Sequence, residues 1–353
     1  MNNKKWTLCC LILTLFLLIV GALPNIIIDP YFHYHAPLEG ITYEMDDQRY
    51  QNDGILKNFT YDAVITGTSM TENFKTSEMD ALFGVSSVKT AFPGGSYKEI
   101  ADRLTSAFRA NPGIRYVLRG IDCNRITEHK DTMSYEDAMY PEYLYDWTVF
   151  NDAAYVLNKQ VLFDDTVRLL ALTRAGVPST TFDEYNYWSD DYAYGADAIR
   201  ANYDRPEQSP TVRETNEADL EQLRQSMDQN FLSLAEENPD TQFYLFFTPY
   251  SIFWWDSMQR YGETDLYIDL MKEASRMLVE YDNIHLFSFF DLEELICNTD
   301  VYKDTLHYSG AISSQLMQWM QEGKYQLTKD NYAAHWETVR EFYGSYDYAS
   351  LFE

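Results

Sequence analysis

Two short segments of the chain combine residue types that could carry out nucleophilic acyl chemistry. Gly67 and Ser69 follow the apolar run 62–66, where a helix is predicted to begin. Asp304 and His307 lie three residues apart near the other end of the chain. A histidine can remove the proton of a serine hydroxyl, while an aspartate orients the imidazole and stabilises its positive charge. Ser69, Asp304 and His307 are therefore a candidate catalytic triad.

Other interpretations of these residues are open. Ser69 lies where a serine most often serves only as a helix cap. The Asp304 and His307 pair also fits a helix cap followed by a surface histidine, or two ligands of a metal ion. Metal binding is less favoured because no second cluster with ligand spacing accompanies the pair, and His33 and His35 stand in a separate segment. We therefore expect neither a metal nor a cofactor.

A hydrolytic serine also needs hydrogen-bond donors for the oxyanion that forms during attack on an ester. Ser69 lies in a turn whose N–H groups are near its own oxygen. Gly94 and Gly95 follow the second predicted strand, and glycine lets a backbone N–H approach a tetrahedral intermediate closely. Asp122 and Asn124 follow the third strand and offer side chains at the same edge. A Gly-Gly pair is also common in ordinary turns, so only its position after a strand indicates an oxyanion hole.

These segments belong to a regular alternation of predicted strands and helices. Short apolar runs predict strands at residues 62–66, 88–92, 116–121, 242–247 and 284–287. Apolar residues at helical spacing predict helices at residues 73–83, 100–108, 220–234, 266–281 and 308–321. This alternation predicts an α/β fold with a parallel sheet covered on both faces, a three-layer α/β/α sandwich. Reactive groups gather at the carboxyl ends of the strands in such a sheet, and the candidate site residues fall there.

The sequence predicts one catalytic domain with additions. The alternation breaks between about 128 and 238, where loops rich in Tyr and Asp and helical pieces such as 167–174 predict an insertion. The predicted organisation is an anchor at 1–28, a connector at 29–60, a catalytic domain at 61–325 with the insertion at about 128–238, and a tail at 326–353.

The N-terminal segment favours a single membrane anchor. Residues 6–23 carry no charge and are rich in Leu, Ile, Phe and Val, and this run is long enough to cross a bilayer. Lys4 and Lys5 precede it and acidic residues follow it, which predicts a cytoplasmic N-terminus and an extracytoplasmic domain. A cleaved signal peptide is the alternative, but no clear A-x-A site follows the apolar run. Cys123 and Cys297 could then pair in an oxidising compartment or stay as thiols.

The composition disfavours one class of partner. With 27 Lys and Arg against 55 Asp and Glu, the formal net charge is −28 at pH 7, so the chain should repel nucleic acid and anionic membrane surfaces except at a local basic patch. Many of the 29 tyrosines lie between about 135 and 203, where they could stack on sugar rings or fill a polar-edged core.

The order of these motifs resembles the SGNH hydrolases, also called GDSL-like hydrolases. That family has a Gly-Asp-Ser block near the N-terminus, an oxyanion glycine in a second block, Gly-x-Asn in a third and Asp-x-x-His near the C-terminus. Here the four blocks read Gly67-Thr68-Ser69, Gly94-Gly95, Gly120-Ile121-Asp122 and Asp304-Thr305-Leu306-His307. The resemblance implies a flavodoxin-like SGNH fold over about 62–321, with Ser69 as nucleophile and Gly95 in the oxyanion hole. The third block departs from the family pattern, because Asp122 stands where the family has its oxyanion-hole Asn. That donor is therefore in doubt unless Asn124 substitutes for it.

The anchor, the Gly-Thr-Ser-Met variant and the insertion are similar to exported members of this superfamily, such as the teichoic-acid D-alanylation protein DltD and the alginate acetylation proteins. This similarity implies an esterase or O-acyltransferase for an acyl group such as acetyl on an extracellular polysaccharide or teichoic-type polymer, with a membrane acyl-donor protein as a further partner. A catalytically degenerate assembly or polymer-binding protein of the cell envelope is the alternative, because a carboxylate at Asp122 would repel an oxyanion. A peptidase is a third possibility on triad chemistry alone.

Overall fold

One six-stranded sheet organises the larger part of the described chain. The computed structural model describes residues 3–135 and 140–352. Residues 1 and 2 of the predicted anchor, residues 136–139 of the predicted insertion and residue 353 of the predicted tail lie outside the described residues. The strands are β1 Ala63–Gly67, β2 Ser87–Ala91, β3 Tyr116–Ile121, β4 Gln242–Phe247, β5 Ile284–Phe287 and β6 Gln326–Leu327.

Helices precede, connect and follow these strands. In chain order they are α1 Asn3–Ile28, α2 Gln48–Asn58, α3 Thr76–Phe83, α4 Tyr97–Ala110, α5 Glu142–Tyr145, α6 Ala153–Val156, α7 Val167–Ala175, α8 Ala196–Asn202, α9 Glu217–Met227, α10 Ser233–Glu237, α11 Ile252–Tyr261, α12 Thr264–Leu278, α13 Glu293–Ile296, α14 Gly310–Gln321 and α15 Tyr332–Ser345. Short π-helical segments precede α7, at Val161–Thr166, and join α9 to α10, at Asp228–Leu232.

The sheet has the strand order β2-β1-β3-β4-β5-β6, and its first five strands are parallel. The short β6 runs antiparallel to β5 and pairs Leu327 with Leu286. β1 and β2 are buried along their whole length, as is typical of parallel strands that helices cover on both faces. The predicted α/β fold with a parallel sheet is therefore confirmed, and all five predicted strands are present to within one residue at each end.

The chain divides into two compact units. We call Met1–Thr60 together with Tyr135–Tyr185 the anchor unit, and Tyr61–Ser134 together with Asn186–Glu353 the sheet unit. The segment predicted as an insertion thus contributes residues to both units, and every strand of the sheet belongs to the sheet unit.

Two groups of helices pack in the sheet unit. α3 packs with α14, while α12 packs with α9 and α15, and α4 packs with the π-helical segment after α9. The tail, for which the sequence suggested no role, supplies α15 to this second group. Trp336 of α15 is fully buried and donates from its indole N–H to the Ser275 hydroxyl at 2.9 Å. Tyr343 stacks on Trp255 with ring centroids 3.9 Å apart, so the tail is part of the core.

The anchor unit contains the apolar helix α1 and a helix that the sequence pattern did not predict. α1 is 26 residues long, and its length and composition are sufficient for a membrane span. α2 lies inside the predicted connector and is capped by Asp47, whose side chain accepts the N–H of Tyr50 at 3.3 Å. Its buried Gln51 donates to the backbone oxygens of Pro30 and Glu44 at 3.1 and 2.8 Å. Because polar side chains of α2 face inward, the segment lacks an apolar helical period.

Candidate active site

Ser69 lies directly after β1 in a short 3-10 turn that ends at Thr71. Gly67 closes the strand with a φ of 150°, and a Cβ atom there would lie 2.7 Å from the Thr71 side chain. Only glycine fits this position without a shift of its neighbours. The hydroxyl of Thr68 accepts the N–H of Met70 at 3.3 Å and caps the turn. The turn therefore presents Ser69 at the carboxyl edge of the sheet.

The structure brings the three residues of the predicted triad together in one hydrogen-bonded chain. The Oγ atom of Ser69 lies 2.8 Å from Nε2 of His307. The other ring nitrogen, Nδ1, lies 2.8 Å from Oδ2 and 3.0 Å from Oδ1 of Asp304. The hydroxyl of Tyr308 donates to the backbone oxygen of Met70 at 3.0 Å, so the histidine loop is held against the serine turn. This geometry suits transfer of the serine proton to the imidazole.

The Asp304 carboxylate organises the loop that carries the histidine. Its Oδ1 accepts the backbone N–H groups of Leu306 and His307, each at 2.8 Å. The N–H of Lys303 donates to the backbone oxygen of His307 at 3.0 Å and closes the loop. Burial acts to raise the pKa of Asp304, but the hydrogen bonds and charge of His307, together with the Leu306 N–H, hold that pKa below its usual 3.8. The ionised carboxylate can therefore hold Nδ1–H and leave Nε2 as the acceptor that faces Ser69.

Asp122, the residue that departs from the family pattern, faces the serine turn from the end of β3. Its buried carboxylate accepts the hydroxyl of Thr68 at Oδ2 and the hydroxyl of Tyr250 at Oδ1, both at 2.8 Å. Burial raises the pKa of Asp122, and the two hydroxyl donors oppose that rise. Because Thr68 directly precedes Ser69, the carboxylate fixes the backbone from which the serine projects. Asp122 thus has the contacts of a positioning residue.

The predicted glycine pair lies in a tight turn after β2. The N–H of Gly95 donates to the backbone oxygen of Phe92 at 2.7 Å. A Cβ atom at Gly95 would lie 2.7 Å from that same oxygen, so the turn requires glycine. The backbone oxygen of Gly94 accepts a hydrogen bond from Arg125 at 2.8 Å, while its N–H has no partner among the described residues. Gly95 would have to leave its bond to Phe92 before it could bind an oxyanion, and its predicted role stays a prediction.

Asn124 follows β3 by three residues and is exposed. Its Oδ1 lies 3.0 Å from the hydroxyl of Tyr250, the same hydroxyl that contacts Asp122. The single proton of that hydroxyl is shared between the two oxygens, and the amide nitrogen of Asn124 has no partner within the described part of the chain. The backbone N–H of Ser69 is likewise without a partner there. These two donors are available for the oxyanion role that the sequence assigned to this edge.

An aromatic group beside the triad was not predicted. The ring of Trp188 meets the His307 imidazole edge-on, with centroids 5.5 Å apart, and its indole N–H donates to Glu72 at 2.7 Å. The Nζ atom of Lys303 lies 3.8 Å from the ring centroid of Trp188 and 3.7 Å from that of Tyr192. Burial lowers the pKa of Lys303. These aromatic residues come from the segment predicted as an insertion, and its richness in Tyr was the only signal for them.

The remaining candidate metal ligands and thiols take no part in this hydrogen-bonded chain. The described residues contain no group of three or more His, Cys, Asp or Glu side chains that could hold a metal ion. Cys123 and Cys297 are both free thiols. Burial raises the pKa of both, that of Cys297 to about 11, so neither is an activated nucleophile.

Comparisons with known proteins add little to this geometry. No family model matches the chain, and no curated protein matches it by sequence. A search of solved structures finds a match described as "a putative platelet activating factor from Streptococcus pneumonia". The two chains are 11% identical with a TM-score of 0.41, over 78% of this chain and 90% of that chain. A similarity this remote assigns neither a family nor an activity, and the closer resemblance to DltD stays a prediction.

Proposed function

We propose that the chain is a serine-nucleophile esterase or O-acyltransferase with an SGNH-type site. The observation that carries this proposal is the continuous chain of hydrogen bonds from Ser69 through His307 to Asp304, each 2.8 Å at its shortest. A serine that served only as a helix cap would not need a histidine from 238 positions along the chain, oriented by its own carboxylate.

The reaction follows from the positions of these groups. The Oγ atom of Ser69 attacks the ester carbonyl carbon while Nε2 of His307 takes its proton. The backbone N–H of Ser69 and the amide of Asn124 donate to the oxyanion, and Gly95 joins them if its turn opens. His307 then returns the proton to the departing alcohol, which leaves an acyl group on Ser69. A water molecule or a second alcohol, deprotonated by His307, releases that acyl group by hydrolysis or transfer.

The proposed acceptor is an extracellular polysaccharide or teichoic-type polymer, and the proposed acyl group is acetyl. The support for a sugar is the Trp188 ring, which borders His307 and has the Lys303 ammonium 3.8 Å from its centroid, because aromatic rings can stack on a pyranose. The support for an extracellular site is α1, with Lys4 and Lys5 on its N-terminal side. We therefore propose a single-pass membrane protein with a cytoplasmic N-terminus, supplied by a membrane acyl-donor protein when it acts as a transferase.

The test is covalent labelling of the full-length protein in detergent with a fluorophosphonate probe. Ser69→Ala should abolish labelling and acetyl-ester turnover. The matched control is Ser106→Ala, because Ser106 is buried in α4 and its hydroxyl has no hydrogen-bond partner in the described chain. Labelling that persists in Ser69→Ala and maps to another serine would overturn the assignment.

The second candidate function is a non-catalytic assembly or polymer-binding protein of the cell envelope. The observation that favours it is the carboxylate of Asp122 at the place of the family's oxyanion donor. Replacement of the imidazole distinguishes the two functions. An enzyme loses its cellular phenotype in His307→Ala, whereas a binding protein keeps it there and loses it when tyrosines of the predicted insertion, its proposed polymer-binding surface, are replaced.

A further inference from the structure

Seven large apolar side chains of the anchor unit are exposed within a stretch of 24 residues. We call them the apolar rim: Trp147, Val149, Phe150, Leu157, Phe163, Val167 and Leu170. Phe150 is 95% exposed, which leaves almost the whole ring outside the protein core. Soluble proteins seldom expose so many large apolar residues close together, and such clusters mark surfaces that meet another molecule or a membrane.

The apolar rim is tied to the end of α1 by two hydrogen bonds. The buried side chain of Asn25 donates to the backbone oxygen of Val156 at 3.1 Å and accepts the hydroxyl of Thr166 at 2.8 Å. Leu157 directly follows Val156, and Val167 directly follows Thr166. Leu157 and Val167 of the apolar rim therefore lie next to residues that contact the C-terminal end of α1.

The position of Asn25 sets the level of Val156 and Thr166, which directly precede Leu157 and Val167 of the apolar rim, along the helix axis. The uncharged run 6–23 spans about 27 Å as a helix, which is close to the thickness of the hydrocarbon core of a bilayer. Asn25 lies two residues beyond Leu23, or about 3 Å further along the axis. Residues that contact Asn25 are thus at the depth where the hydrocarbon core gives way to headgroups.

Three residues of the apolar rim lie on one helix and have the pattern of a helix that lies in a membrane interface. Phe163, Val167 and Leu170 recur at intervals of four and three residues, so they form one exposed stripe across the π-helical segment and α7. Val161 and Leu169, on the other side of the same helix, are buried. A surface helix of a soluble protein would turn its apolar stripe inward.

We propose that the apolar rim is embedded in the outer leaflet of the bilayer that α1 spans. This inference rests on α1 as a membrane anchor and is independent of the chemistry at Ser69. The rim adds a second, interfacial attachment beside the span, and Trp147 lies within it, where an indole ring has its preferred place between lipid and water. The anchor unit is thereby held against the membrane at a fixed depth.

The experiment measures the depth of single positions in the full-length protein. A nitroxide spin label is placed on one cysteine at a time, and the chain is reconstituted in phosphatidylcholine nanodiscs. Cys9, Cys10 and Cys297 are replaced by serine, while Cys123 is kept because its thiol is fully buried. Collision rates with oxygen, which dissolves in lipid, and with a water-soluble nickel chelate give the depth of each label. The labelled substitutions are Leu13→Cys, Val149→Cys, Phe163→Cys and Val212→Cys.

Val149 and Val212 form the matched pair, since both are 68% exposed but only Val149 belongs to the apolar rim. We expect a severalfold higher ratio of oxygen to nickel collisions at Val149 and Phe163 than at Val212, with the highest ratio at Leu13. If Leu13 reports lipid while Val149 and Phe163 match Val212, the rim lies in water and the proposal is wrong although the anchor stands. If Leu13 also reports water, both the anchor and the rim are wrong. Each variant must keep the wild-type melting midpoint.

Discussion

Replacement of Thr68 by valine isolates the hydrogen bond between Asp122 and the serine turn. Valine keeps the shape of threonine but removes the hydroxyl that donates to Asp122 at 2.8 Å and accepts the Met70 N–H at 3.3 Å. A hydrogen bond to a charged acceptor contributes about 1.5–3 kcal/mol, and a capping bond about 1 kcal/mol. Thr68→Val should therefore lower the free energy of unfolding by roughly 2–4 kcal/mol. If half of that energy also holds Ser69 in place, fluorophosphonate labelling should slow by roughly 5- to 30-fold.

The control for this substitution is Thr90→Val. The Thr90 hydroxyl is buried at the end of β2 and has no partner in the described chain, so its removal should leave stability and labelling unchanged or slightly improved. Melting midpoints and second-order labelling rates of both variants, and a double-mutant cycle of Thr68→Val with Asp122→Ala, measure the effect. The cycle should give an interaction energy of about 1.5–3 kcal/mol. Additive effects, or a Thr68→Val protein that behaves like Thr90→Val, would show that Asp122 does not position Ser69.

Two further predictions concern Asp304, and a third concerns Gly67. Asp304→Asn can still accept the N–H groups of Leu306 and His307 but offers an amide to Nδ1, which favours the wrong tautomer, so labelling should slow by about 10⁴-fold. The pKa of Asp304 is lowered from 3.8 in the folded chain, so its contribution to stability is fully present above that pH and is lost as pH falls through the lower folded value. The melting midpoint of the wild type should thus fall more steeply below about pH 4 than that of Asp304→Asn, and parallel curves would contradict this. Gly67→Ala, which places a Cβ atom 2.7 Å from Thr71 at a φ of 150°, should lower both the melting midpoint and the labelling rate, and a neutral result would refute the requirement for glycine.

The five parallel strands could be predicted from the sequence because strands that are buried on both faces of a sheet consist of short apolar runs. It missed β6, which has two residues and no pattern of its own. It also missed α15, although Trp336, Val339 and Tyr343 recur at intervals of three and four residues and are all buried. That helical spacing was readable in the tail and would have found the helix. For α2 no such signal existed, because polar Gln51, Asn52 and Asp53 are buried beside Ile55 and Leu56, so the buried face of the helix shows no apolar period.

The candidate site likewise contains residues that local motifs predict and contacts that depend on the tertiary fold. Ser69, Asp304 and His307 could be predicted because each follows a strand and the motifs occur in a known order. The Trp188 contact with His307 could not, since it joins residues that lie 119 positions apart and depends on how the loop before α8 folds back. The bond of Asp122 to Thr68 was equally hidden, because the sequence shows that a carboxylate is present but not which hydroxyl it accepts.

The arrangement around Asp122 explains how a carboxylate can stand beside a proposed oxyanion hole. Both carboxylate oxygens are occupied, one by Thr68 and one by Tyr250, so the negative charge is solvated by hydroxyl donors of the scaffold. Burial also raises the pKa of Asp122 and thus weakens its preference for the charged form. The hydroxyl of Tyr250 also lies 3.0 Å from Oδ1 of Asn124, so this contact holds the Asn124 side chain close to Asp122. Under the proposed function, Asp122 positions the serine turn and Asn124 is the candidate donor in place of the Asn that the resembled family has at the earlier position. The proposed catalysis then requires that these two neighbouring residues divide the roles of that position.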